Sequence, residues 1–134
     1  MSAHFHALVW IDHQVAKVFH FDAHANETKN IQSSHPHQHL HHKANSIDSG
    51  HAAVDKEFLQ RVVAEISKAG AILITGPSTA KTELRAHIQR LHPKLAAKIS
   101  AVEALDHPTD GELLAFGRRF YQADDRMRVD EVTQ

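Results

Sequence analysis

Apolar residues fill both faces of two short stretches. His4–Ile11 carries Phe5, Ala7, Val9 and Ile11 on one side and Leu8 and Trp10 on the other, and Ala71–Thr75 is AILIT. Strands covered on both sides of a sheet read this way. Gln14–Asp22 alternates, with Val15, Phe19 and Phe21 on one face and Ala16, Val18 and His20 on the other. Thr28–Ser33 holds one strong apolar residue, Ile31, as an edge strand does. Ala23–Glu27, around Asn26, is the expected hairpin turn. The period then changes. Val54, Phe58, Leu59, Val62, Val63 and Ile66 make one helical face, with Asp55 and Glu57 in its first turn and Gly70 as C′ residue.

After Ala71–Thr75, Gly76-Pro77 breaks the run. Ser78 or Thr79 is placed to cap a second helix, whose Leu84, Ile88 and Leu91 recur at i, i+4 and i+7. Pro93 ends it and opens a short turn, Lys94–Ala97. Lys98–Ala104 reads as a fifth strand. Thr109-x-x-Glu112 is a capping box, and the helix behind it turns Leu113, Phe116, Gly117, Phe120 and Tyr121 inward. Residues 1–121 therefore form one α/β domain, and 122–134 a charged tail. The order β-β-β-α-β-α-β-α, with the two most apolar strands adjacent, predicts a ribonuclease-H-like mixed five-stranded sheet. Its strand order is 3-2-1-4-5, with helices on both faces and right-handed crossovers. The expected buried set is Phe5, Val9, Ile11, Phe58, Val62, Ile72, Ile74, Leu84 and Ile88.

Composition narrows the chemistry. The chain has 134 residues and a formal net charge of −1, which argues against a general polyanion binder. It has no cysteine, which excludes disulfide and thiolate chemistry. It shows neither a signal-peptide pattern nor a membrane span, so a cytoplasmic protein is expected.

The anomaly is 14 histidines. Five of them fall within His35–His42, inside Ser34–Gly50, a stretch of low apolar content and unusual length for a loop. His35, His37, His39 and His41 alternate, so in extended backbone they share a face about 7 Å apart. Such imidazoles suit zinc, nickel or copper. No carboxylate or cysteine stands ready to complete a tetrahedral set, and the pattern also suits a solvated loop. A third reading is RNA contact through His39, His41, His42, Lys43 and His51.

TGPSTAKT at 75–82 lacks two glycines of a phosphate loop, so nucleotide hydrolysis is not expected. Lys81 there remains a candidate anion or RNA contact, against the plainer reading of a solvated lysine on a capped helix. Asp12, Asp106 and Asp110 are the carboxylates a nuclease of this fold would need, and their expected places do not converge.

Four segments in this order resemble the middle domain of archaeal and eukaryotic class-1 peptide-chain release factors and Pelota. They are ALVWIDHQVAKVFHF at 7–21, the helix after the long loop, ILITGPSTAK at 72–81, and 95–104 with its acidic turn and helix. The chain looks closest to short bacterial single-domain versions called translational machinery proteins. The resemblance implies a translation-associated protein that binds ribosome or tRNA, with no small-molecule substrate. It does not extend to the family's flanking domains. The family's Gly-Gly-Gln tip is absent too: the corresponding loop has one glutamine, Gln38, between His37 and His39. Peptidyl-tRNA hydrolysis is therefore not implied, and a non-catalytic role is expected.

Overall fold

The computed structural model describes residues 5–33 and 55–132, with side chains through residue 123. Five strands form one sheet: β1 (His6–Ile11), β2 (Val15–Phe21), β3 (Asn26–Gln32), β4 (Ala71–Gly76) and β5 (Ile99–Ala104), in the order β3-β2-β1-β4-β5. β1 pairs antiparallel with β2, from His6↔Phe21 to Ile11↔Ala16, and parallel with β4, from His6↔Ala71 to Trp10↔Thr75. The helices among the described residues are α1 (Lys56–Ile66), α2 (Ala80–Leu91), α3 (Pro93–Ala96) and α4 (Asp110–Val132). This is the expected mixed α/β fold and strand order.

Because side chains alternate along a strand, β1, β2 and β4 each supply two cores. On one face Ala7, Val9, Ile11, Ala16, Val18, Ile72 and Ile74 pack with Phe58, Val62 and Ile66 of α1 and Leu84 and Ile88 of α2. On the other face Leu8, Trp10, Phe19, Phe21 and Leu73 pack with Leu113 and Tyr121 of α4. Each large aliphatic so buried contributes about 1.5–3 kcal/mol before conformational entropy is counted.

Local chemistry sets the ends. Asp55 caps α1 by accepting the Glu57 amide at 3.1 Å. At the start of α4, the Thr109 amide donates to Glu112 Oε1 at 2.8 Å, and the Glu112 amide to Thr109 Oγ1 at 3.1 Å, which closes the capping box. The helix continues past Tyr121 to Val132 along its main chain.

Five expectations are corrected. Phe5 is 56% exposed rather than core. Its ring lies over Gly70, where a Cβ would stand 2.0 Å from it, so Gly70 serves this contact, and α1 ends earlier, with Ser67 as C-cap. The β2–β3 turn falls at Asp22–Ala25, because Asp22 Oδ1 accepts the amides of His24 and Ala25, and Asn26 already belongs to β3. Leu91 is 53% exposed despite its place in the α2 stripe. At the N-terminus of α2 neither Ser78 nor Thr79 caps: Thr79 holds the N-cap position but its hydroxyl makes no capping bond.

Candidate functional site

β1, β3, β4 and β5 point the same way, so their carboxyl ends, at Ile11, Gln32, Gly76 and Ala104, share one edge of the sheet. Open α/β sheets place their sites at this edge. The chain leaves the edge at Ser33, whose amide donates to the Gln14 carbonyl at 2.8 Å. It returns there at Asp55. The direction of α1 follows from two contacts: Arg61 Nη2 donates to the Gln32 carbonyl at 2.7 Å, and Glu65, one turn on, meets His20 at 2.7 Å deeper in the sheet.

The polar groups on this edge mostly hold one another. Asp12 Oδ1 accepts the amides of Gln14 and Val15, both at 2.8 Å, and shapes the β1–β2 turn. His13 Nε2 lies 3.6 Å from Glu83 Oε2, tying that turn to α2. The same Glu83 oxygen accepts the Thr79 hydroxyl at 3.3 Å, which puts a carboxylate at the positive end of the helix. Lys81 donates to the Ser78 carbonyl and closes the turn in front of α2. An anion arriving here meets the Glu83 carboxylate and finds Lys81 engaged with the Ser78 carbonyl.

Towards β5, the Trp10 indole N–H is shared between the carbonyls of Leu105 at 3.3 Å and Asp106 at 3.1 Å. Trp10 is thus core and also anchors the β5–α4 connection, where the His107 ring sits 5.3 Å from the indole. Asp106 Oδ1 meets His107 Nδ1 at 2.9 Å, and Asp110 pairs with Lys17 at 2.9 Å. The three carboxylates suited to a nuclease are thus engaged separately. Among the described residues no three His, Cys, Asp or Glu side chains come together to hold a metal ion.

Of the expected site residues, Lys81 lies on this edge. His35, His37, His39, His41, His42, Lys43 and His51 lie outside the described residues, in the stretch between the two anchors Ser33 and Asp55. The His13–Glu83 link was not legible beforehand, because its partners stand 70 positions apart. Gln60, His87 and His92 form a second polar cluster, on the α1–α2 side. One signal for it was present: His87 follows Leu84 by three residues, on the apolar face of its helix.

No protein-family model matches the chain, and no curated protein matches it. Solved structures do. The chain is similar to Pelota of Archaeoglobus fulgidus with a TM-score of 0.61 at 14% identity, over 94% of this chain and 37% of that protein. It is similar to the archaeal translation termination factor aRF1, with a TM-score of 0.53 at 14% identity, over 81% of this chain and 32% of that one. Dom34 of S. cerevisiae gives 0.55 at 11% identity, over 94% and 38%. The fold is that of a domain found in the Pelota and release-factor proteins. The chain spans between about 30% and 40% of the length of these proteins.

Proposed function

We propose that this protein is a non-catalytic, translation-associated factor that works at the ribosome in the cytoplasm. In this reading it contacts ribosomal RNA or tRNA through the carboxyl edge of its sheet. The observation that supports it is the shared fold. Its similar structures include a translation termination factor and Dom34, described as a termination-like factor involved in RNA quality control and interacting with Hbs1.

The contacting groups are His39, His41, His42, Lys43 and His51, with Lys81 further along the same sheet edge; Lys81 exchanges the Ser78 carbonyl for a phosphate. Imidazoles near neutral pH are mostly uncharged, and each one that protonates adds a contact to the RNA backbone. Affinity then rises as pH falls from about 7.5 to 6, and the salt dependence steepens. A zinc, nickel or copper site on His35, His37, His39 and His41 gives the opposite sign, because protons compete with metal for the same nitrogens.

The test is co-sedimentation of the untagged protein with ribosomes across that pH range at two salt concentrations. The same measurement is made on a variant with His39, His41, His42 and Lys43 replaced by alanine. Binding that strengthens in acid and is lost in the variant is the expected result. Binding flat in pH and indifferent to the variant removes the histidines from the interface. Absence of binding under all conditions removes the ribosome.

A further inference from the structure

Away from the carboxyl edge, a groove of about 630 Å³ runs between α1 and the α2–α3 corner. That volume is in the range of specific ligand sites. The groove exists because α2 ends early. Leu91 is its last residue, His92 leaves helical geometry at φ −136°, and Pro93 starts α3. Leu95 then takes the core position at 8% exposure, and Leu91 is left uncovered. With Val63 of α1, these two leucines give the groove an aliphatic floor.

The rim is cationic. Lys94 and Lys98 line it with His92, and no acidic side chain among the described residues does. Arg90 and Lys56 add to the positive field; with His92, and behind the larger effect of burial, they hold the His87 imidazole below the usual histidine range. Gln60 closes one end of the groove. Its Oε1 is shared by His87 Nε2 at 3.0 Å and His92 Nε2 at 3.2 Å. Two imidazoles thereby fix the carboxamide and leave its NH₂ as a donor for an incoming oxygen.

We propose that this groove is a docking site for an acidic peptide segment of a partner protein, one that carries an aliphatic side chain between carboxylates. The aliphatic group covers Leu91, Leu95 and Val63; the carboxylates meet Lys94 and Lys98; Gln60 donates to a peptide carbonyl. An RNA strand fits the groove less well as a whole, since among the described residues no Phe, Tyr or Trp lines it to stack a base and the aliphatic floor would stay bare. The proposal is independent of the ribosome reading, because it concerns a different face and different residues.

The experiment is fluorescence anisotropy of the full-length protein with three labelled probes of equal length. They are a Glu/Leu decapeptide, a Glu/Ser decapeptide and an oligouridine. The Glu/Leu peptide is expected to bind at least roughly tenfold tighter than either of the others. Lys94→Glu with Lys98→Glu, and separately Leu91→Ser, should each weaken it at least about fivefold with thermal unfolding unchanged, since all three residues are exposed. Equal binding of the Glu/Ser peptide, tighter binding of RNA, or no binding at about 1 mM peptide overturns the proposal. So does self-association abolished by Leu91→Ser, which would make a second copy of the chain the occupant.

Discussion

Gly76 ends β4 so close to β1 that a Cβ built on it would stand 2.2 Å from the Ile11 carbonyl oxygen. Its φ of +157° is also one that side-chain-bearing residues rarely adopt. The obstacle is backbone of the central strand and cannot swing aside. This contact sets the corner from which α2 departs.

Gly76→Ala is therefore expected to lower stability by about 2 kcal/mol or more, read by urea unfolding. Gly111, in the first turn of α4, has nothing within 4 Å of its Cβ position. Gly111→Ala should be neutral or stabilising by up to about 1 kcal/mol. Equal effects at the two glycines would refute the steric account.

His87 makes stability depend on pH. Its folded pKa is lowered by burial first, and then by His92, Arg90 and Lys56. Above about pH 6.5 both folded and unfolded states hold it neutral. As pH falls below that value, the unfolded chain takes the proton before the folded one does. Stability contributed here is lost with acidification until the folded pKa is reached. The difference in unfolding free energy between wild type and His87→Phe should shrink as the pH is lowered from 7.5 to 5. A pH-independent difference would show that His87 is not titrating differently in the two states.

The Thr109–Glu112 capping box holds the start of α4, whose Leu113 and Tyr121 cover one sheet face. Thr109→Ala should cost about 1 kcal/mol, with Thr109→Ser close to wild type. Chemical denaturation of the three proteins settles it.

Release-factor chemistry should be missing. It needs a glutamine whose flanking backbone can approach the ester closely, as glycines allow. Gln38 has His37 and His39 instead. The purified protein is expected to release no peptide from loaded ribosomes at any stop codon. Release that disappears in Gln38→Ala would contradict this.

The sequence by itself determined the elements and their order. Alternation along 15–21, double-sided apolar runs at 7–11 and 71–75, and the 3.6-residue stripe from Phe58 to Ile66 are local patterns. Each survives because the sheet and α1 bury the faces those patterns mark. The strand order followed too, since only adjacent central strands cover two fully apolar runs. What tertiary structure alone decided was how far each stripe is covered and which distant polar groups meet. Phe5 and Leu91 sit on apolar faces by spacing, yet both lie at the ends of elements where the neighbours stop short: Phe5 lies across Gly70, and Leu95 takes the place that Leu91 would fill. His13 with Glu83, and Gln60 with His87 and His92, come from separate elements. Their meeting depends on helix length and crossing, which no local period encodes.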